Sequence, residues 1–280
     1  TEKDVDLPKL DDVINEYVPA GFNVNDEPLG NFSHLNNLAA PADVSLAYRS
    51  IGSLGGGNHF IELDKDNDGS LWFVIHTGSR HLGLEVAKHY QELAYKQLKD
   101  SDVGGKIKAV IADLKAKGRE KEIEKTIQAL KMQEPHIPKS LCYVSGQAFK
   151  DYIHDMEIVQ KHAELNRKYI ANTVIKKMGW HICEEFQTIH NYIDTKNLIL
   201  RKGSVSARDG EKLIIPINMR DGSLICIGKG NPDWNYSAPH GAGRILSRSE
   251  AKDAVGIDEF RESMKGIYSS SVMESTIDES

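Results

Sequence analysis

Cysteine is scarce in this 280-residue chain: Cys142, Cys183 and Cys226 stand far apart, and no two form a Cys-x-x-Cys pair. Thiols so spaced exclude a disulfide framework and a cysteine metal knuckle, and reduced thiols are expected. Cys226 lies in the apolar stretch Ser223 to Gly228 and reads as a core residue. Long apolar runs are lacking too. Leu71 to Ile75 and Leu213 to Ile217 have strand length, far short of the roughly 20 residues that cross a bilayer, so no membrane segment is expected. Residues Thr1 to Leu10 mix acids and bases without an apolar signal core, and the expected location is the cytoplasm. The first residue is Thr, not Met, which fits a fragment of a longer protein. An overall positive charge is also missing. A formal net charge of −6 argues against a protein that coats nucleic acid by electrostatics alone. The charge is uneven, however: Arg201 to Lys252 carries nine Lys/Arg against five Asp/Glu, so phosphate chemistry is expected there.

With 40% hydrophobic residues the chain is long enough to bury a core. Residues 1–50 carry Pro8, Pro19, Pro28 and Pro41 among turn formers such as Asn23 to Asp26, and read as irregular with short helical pieces, a poor place for a core. Phe60 to Leu63 and Leu71 to Ile75 flank the turn-rich Asp64 to Gly69 and predict a hairpin. Helical spacing links Leu84, Ala87, Tyr90, Ala94 and Leu98. It recurs at Met156, Val159, Ala163, Ile170, Val174 and Met178, ahead of Gly179 as a helix C-terminal residue. The Lys- and Glu-rich stretch Lys106 to Gln133 predicts a solvated helical hairpin, an insertion around 100–135 broken at Lys117-Gly118. From Leu198 onward short β-type runs dominate: Leu198 to Leu200, Leu213 to Ile217 and Ser223 to Ile227. No repeat or linker marks a boundary, so the expected fold is one mixed α+β domain.

Four segments could carry chemistry. Gly52 to Gly57 sets small or absent side chains ahead of Asn58 and His59, where backbone can approach phosphate closely; a tight glycine turn is the plainer reading. The segment lacks the ending of a P-loop and the spacing of a dinucleotide fingerprint. His76 ends an apolar run and opens Thr77-Gly-Ser-Arg80, and His190-Asn191 repeats the theme after Phe186 to Ile189. Lone histidines at strand ends are usually structural, but three at such boundaries suit a borderline-soft divalent metal. In Ser237 to Arg248, glycines beside His240 let backbone N–H groups surround an anion. Arg244 and Arg248 can offset phosphate charge, leaving the imidazole as a nucleophile. His34, His81, His89, His136, His154, His162 and His181 receive no role.

Taken together, Gly55 to Glu62, His76 to Arg80, His190-Asn191, Arg201 to Gly203, Pro216 to Ser223 and His240 to Arg244 resemble, in order, the RtcB family of RNA-splicing ligases. The resemblance spans roughly residues 15–280 and implies a GTP-dependent RNA ligase of RtcB-like fold. By position, His240 is the catalytic residue that takes GMP from GTP as a phosphoramidate. GMP then passes to an RNA 3′-phosphate, and a 5′-hydroxyl end displaces it; family members first open 2′,3′-cyclic phosphates. The resemblance implies one or two manganese ions, with His59, His76 and His190 as ligands. It places Asn58, His59, Phe60, Ile61, Glu62, His190, Asn191, Pro216, Ile217, Asn218, Met219, Ser223, His240, Gly241, Ala242 and Gly243 at guanine-nucleotide positions. Implied partners are broken RNA or tRNA halves, GTP and an archease-type activator. The chain departs from the family in lacking its Asp-x-Gly-Cys-Gly metal motif and its C-terminal nucleotide-binding lysine segment, and in having Asn at position 218 where Ser is usual. Two other readings are a metal-dependent phosphohydrolase or nucleotidyltransferase, and a non-catalytic RNA- or GTP-binding core.

Overall fold

The computed structural model of the chain describes residues 5–132, 138–243 and 246–279. In chain order its helices and strands are α1 (Leu7–Tyr17), α2 (Val44–Ser50), β1 (Phe60–Lys65), β2 (Leu71–His76), α3 (Leu82–Ala116), α4 (Ile123–Met132) and α5 (Gly146–Met178). There follow β3 (Tyr192–Asp194), β4 (Ile199–Arg201), β5 (Ser204–Ser206), β6 (Lys212–Asn218), β7 (Gly222–Ile227), β8 (Ser237–Pro239), α6 (Arg248–Ala254) and α7 (Ile257–Ser263). The strands form four two-stranded ladders, β1-β2, β3-β4, β5-β8 and β6-β7, all antiparallel. Helix and strand are mixed, in agreement with an α+β class. The chain divides into two compact units, one of Thr1–Phe32, Val44–Arg80 and Gln160–Ser280, the other of Ser33–Asp43 and His81–Val159.

In the first unit, Asp6 caps α1 by accepting a hydrogen bond from the Lys9 backbone N–H at 3.0 Å, and Pro8 sits in the first turn, where its missing N–H costs nothing. The helix buries Leu10 and Val13, with Val18, against Ile170 and Val174 of α5. Ile61 and Leu63 of β1 and Phe73 and Ile75 of β2 pack on the same cluster. Residues 1–50 form the short helical pieces expected, but the reading of this segment as a poor place for a core is overturned: the prolines delimit α1 and the turns after it, and do not interrupt its apolar face. Because side chains alternate along a strand, Phe60, Glu62 and Asp64 occupy the other face of β1. The hairpin closes through Asp66, whose Oδ1 accepts from the N–H groups of Asp68 (3.0 Å) and Ser70 (2.8 Å).

Helix α5 stops at Gly179 (φ +70°), where the N–H of Trp180 reaches the Ile175 carbonyl and that of Gly179 reaches Lys176. This Schellman arrangement needs the left-handed glycine. His162, to which the sequence assigned no role, is fully buried on α5 with Nε2 2.9 Å from the Ala47 carbonyl. Two further clusters hold the C-terminal third. Val205, Ala207 and Leu213 pack with Ile215, Ala238 and Cys226, the last only half-buried at the cluster margin. Phe260, Met264 and Ile277 pack with Met219.

In the second unit, α3 runs unbroken for 35 residues, so the two helical pieces expected over 84–98 and from 106 are one. Its buried stripe is Leu82, Val86, Tyr90 and Ala94, while Leu84, expected on that stripe, is exposed. The chain turns at Lys117 and Gly118 (φ +66°), and α4 packs back on α3; Gln133 lies outside the described residues. The fully buried Asp155 accepts hydrogen bonds from the backbone N–H groups of Ala39 (2.9 Å) and Ala40 (2.8 Å) and from the Tyr90 hydroxyl (2.8 Å), so its charge is compensated by three donors.

Candidate active site

The β1-β2 register sets the first part of the site. Phe60 pairs with His76, so His59 and His76 meet at the open end of the hairpin, ring centroids 6.2 Å apart. The His76 ring lies edge-on to His190, with centroids at 5.1 Å and the two Nε2 atoms at 3.2 Å. His190 in turn lies 4.8 Å from His240, centroid to centroid. Four histidines that are 17, 114 and 50 residues apart in sequence thus form a continuous row of imidazoles. Burial, followed by the neighbouring Arg80 and His190, lowers the pKa of His59; burial and the adjacent His240 lower that of His190. His76 falls to about 4, through burial first and then the charges of His190, His59, His240 and Arg167. Burial thus favours the neutral form of all three rings, the state a metal ligand requires.

His240 follows β8, which pairs with β5 through Val205 and Ala238. Its Nδ1 lies 2.8 Å from the Gly203 carbonyl oxygen. A carbonyl only accepts, so Nδ1 carries a proton, and in the neutral ring Nε2 holds the lone pair. The N–H of Gly203 donates to Asn191 Oδ1 at 2.7 Å. Asn191 is itself left-handed (φ +56°), a conformation Asn tolerates better than most residues. Under β8 lies Arg201, 1% exposed, donating to Ser237 Oγ (2.9 Å), the Tyr192 hydroxyl (3.0 Å) and the Asn235 carbonyl (3.1 Å), with Asp194 at 3.6 Å. The His240 loop returns to β6, where the Ala242 N–H meets the Pro216 carbonyl at 3.0 Å. Arg244 lies outside the described residues.

The glycine-rich segment is fastened to the loop after β2. Thr77 donates its hydroxyl to the Leu54 carbonyl, and Arg80 donates to Ser53 Oγ (2.9 Å) and to the Gly21 carbonyl (2.8 Å). The guanidinium of Arg80 is largely committed to these bonds. Gly55 (φ +94°) lies so close to His59 Nδ1 and Arg80 Nη1 that any side chain would collide with both. Beneath the segment, on α5, are two residues the sequence reading missed. Asn166, fully buried, accepts from the N–H groups of Gly52 (2.8 Å) and Ser53 (3.0 Å) and donates to the carbonyls of Ser53 and Gly78, both at 3.0 Å. Arg167 donates to the Thr77 carbonyl (3.1 Å) and Gln187 Oε1 (2.8 Å). One signal was available: Asn166 falls four residues before Ile170 and three after Ala163 on the helix's buried stripe, where a polar residue must find partners.

The other predicted nucleotide positions separate into two groups. Glu62 faces β7, where Ser223 donates to its Oε1 at 2.6 Å. Burial raises the Glu62 pKa to about 7, against the Ser223 hydrogen bond, and the nearby Asp64 carboxylate adds to the rise. Asn58 is exposed beside the histidines. By contrast, Ile61 packs into the core, Met219 packs against Phe260, and Asn218 serves its own turn, accepting from the N–H groups of Arg220 (2.9 Å) and Asp221 (2.8 Å).

Among the described residues, no group of three or more His, Cys, Asp or Glu side chains is arranged to hold a metal ion as it stands. The donor chemistry nevertheless fits a divalent cation. His59 Nδ1 and His190 Nδ1 are buried without a hydrogen-bond partner, and the Nε2 atoms of His76 and His190 face one another. Buried ring nitrogens without a hydrogen-bond partner are costly unless something pairs with them.

Known proteins are similar to this chain in sequence. The family model described as tRNA-splicing ligase RtcB matches residues 24–280. RNA-splicing ligase RtcB of Escherichia coli (strain K12) is 29% identical over 231 residues, covering 76% of this chain and 49% of the relative. RNA-splicing ligase RtcB1 of Escherichia coli (strain ATCC 25922) is 30% identical over 232 residues, with the same coverage of 76% and 49%. The tRNA-splicing ligase RtcB of Aeropyrum pernix is 27% identical over 268 residues, covering 78% of this chain and 50% of the relative. The chain therefore spans about half the length of the curated relatives it matches. The family model's reach over nearly all of this sequence, His240 included, makes the chain a member of the tRNA-splicing ligase RtcB family.

Proposed function

We propose that this chain carries the nucleotide-accepting centre of a GTP-dependent RNA ligase, which joins 2′,3′-cyclic phosphate or 3′-phosphate ends to 5′-hydroxyl ends through a histidine–GMP intermediate on His240. The observation that carries the reading is the bond from His240 Nδ1 to the Gly203 carbonyl, which in the neutral ring puts the lone pair on Nε2, the nitrogen that would attack. The Nε2 lone pair forms an N–P bond to the α-phosphorus of GTP while the bond to the bridging oxygen breaks and pyrophosphate leaves. The imidazole ring becomes cationic in that step, and the Gly203 carbonyl then holds a stronger hydrogen bond to its Nδ1–H. A 3′-phosphate oxygen of RNA takes GMP from the ring, restoring the imidazole, and a 5′-hydroxyl displaces GMP to close the strand.

Glu62, when ionised, has two acceptor oxygens for the N1–H and 2-amino groups of guanine. Manganese, held by His59, His76 and His190, would offset triphosphate charge and help align the displacement. The partners are broken RNA or tRNA halves, GTP and an archease-type activator, in the cytoplasm. No helix among the described residues is long and apolar enough to cross a membrane. Incubation with manganese and α-³²P-GTP should leave an acid-labile label on the wild-type chain and none on His240→Ala. A label that survives in His240→Ala would remove the nucleophile assignment. GTP turnover with no label would favour a metal-dependent phosphohydrolase, and GTP or RNA binding with neither would leave a non-catalytic core.

A further inference from the structure

Three segments must be held together for the imidazole row to exist: the glycine-rich run before His59, the loop after His76, and the run before His190. None of the three is bonded to another through the histidines except at the single contact of His76 with His190. Each, however, reaches back to the same two consecutive residues of α5. Asn166 spends all four of its hydrogen bonds on Gly52, Ser53 and Gly78. Arg167 spans from Thr77, next to His76, to Gln187, three residues before His190. One helix, not a loop, thus braces all three segments.

We infer that Asn166 and Arg167 are positioning residues which clamp the three histidine-bearing segments of the proposed metal and nucleotide centre; the inference rests on that functional reading. Arg167 is the informative member, because charge and geometry make opposite predictions for it. Both of its partners are neutral oxygen acceptors, and it is a cation set between the segments that carry His76 and His190. If Arg167 were only a neighbouring cation, it would repel a divalent ion, and removing it would tighten metal binding. If it is a clamp, removing it lets the His190 segment part from His76, and binding weakens. Groups that support bound ligands from behind typically contribute about 10- to 100-fold in affinity.

The test uses Arg167→Met, Arg167→Lys and Gln187→Ala in the full chain. Gln187→Ala cuts one arm of the clamp at an exposed position without changing charge, so its Tm should match wild type. In the metal-free chain, ¹H–¹³C spectra of the imidazoles should show the Cε1–H signals of His76 and His190 displaced in Arg167→Met and Gln187→Ala, with the exposed His181 signal unmoved. In calorimetric titrations with manganese alone, both variants should bind about tenfold or more weakly, and Arg167→Lys, which keeps the charge but not the planar fork, should resemble Arg167→Met. Unmoved His76 and His190 signals, or manganese binding equal to or tighter than wild type in the variants, would overturn the clamp. A wild-type chain that takes up no manganese would count against the functional reading instead, while the imidazole spectra still decide the clamp.

Discussion

The Gly203 carbonyl oxygen lies 2.8 Å from His240 Nδ1, and the N–H of the same glycine lies 2.7 Å from Asn191 Oδ1. The Gly203 residue, left-handed at φ +64°, therefore links the asparagine beside one histidine of the row to the tautomer of another. A strand end and a loop separated by about forty residues become one unit through two hydrogen bonds.

Asn191→Gly should slow guanylylation. Glycine adopts the left-handed backbone without strain, so the change removes only the amide that orients Gly203. Loss of one hydrogen bond of about 1 kcal/mol corresponds to a labelling rate roughly five- to tenfold lower. Initial rates of ³²P incorporation at saturating GTP provide the check; an unchanged rate would show that Gly203 keeps its orientation unaided.

Guanine-nucleotide binding should strengthen as pH rises through about 7, the value to which burial and Asp64 raise Glu62. Only the ionised carboxylate accepts both guanine N–H groups. Stability should move the opposite way. A carboxyl whose folded pKa is raised favours the folded state below its unfolded pKa, and that contribution is lost as pH climbs through the folded value. Glu62→Gln, which cannot ionise, should thus gain stability relative to wild type above pH 7, by about 1 to 2 kcal/mol after allowance for solvent screening. Denaturant titrations at pH 5 and pH 8 measure the difference, and parallel curves at both would contradict the assignment.

Gly55→Ala should destabilise the first unit and disturb His59. An alanine there needs a left-handed backbone at φ +94° and places its methyl group against His59 Nδ1 and Arg80 Nη1. A cost of about 2 kcal/mol or more is expected from strain and overpacking together. Thermal unfolding reads the cost, and a Tm equal to wild type would mean the loop relaxes freely. Gly57→Ala is the comparison: its φ is +72° but nothing lies within 4 Å of a Cβ there, so it carries the backbone strain without the collision.

Arg201→Met should cost about 3 kcal/mol, because it removes donors from Ser237, Tyr192 and Asn235 and takes a cation from beside Asp194 in a buried setting. Asp194 retains Arg208 at 3.1 Å, which limits the loss. Since Ser237 begins the strand that delivers His240, labelling should fall along with stability. A folded variant with wild-type labelling would show that β8 holds its register by the β5 ladder alone.

Much of the fold was legible in sequence because it depends on local pattern. The β1-β2 hairpin followed from two apolar runs about an acidic turn, α5 from its helical spacing and Gly179, and β6 and β7 from short β-type runs. The errors have a common cause. Leu84 was placed on the buried stripe of α3 because it shares a spacing of three with Ala87, yet the helix buries Leu82 and Val86 instead. Residues 1–50 were discounted for their prolines, although α1 needs only Leu10 and Val13 on one face to dock on α5. Which face is buried depends on what lies opposite, and a single segment does not contain that information.

The site divides along the same line. Residue type alone suggested imidazoles able to donate lone pairs and glycines that let backbone approach phosphate, while the carboxylate for a guanine edge came from the family resemblance. The first two follow from side-chain structure and need no fold. The tertiary structure decided which of them could act together. It aligned His59, His76, His190 and His240, packed Ile61 and Met219 against apolar clusters, tied Arg80 to Ser53 and Gly21 and Asn218 to its own turn, and recruited Asn166 and Arg167 from a helix that no motif marks. Hydrogen bonds act over about 3 Å, whereas Glu62 and Ser223, joined by one in the site, are 161 positions apart in the chain, so only the folded backbone could bring them into range.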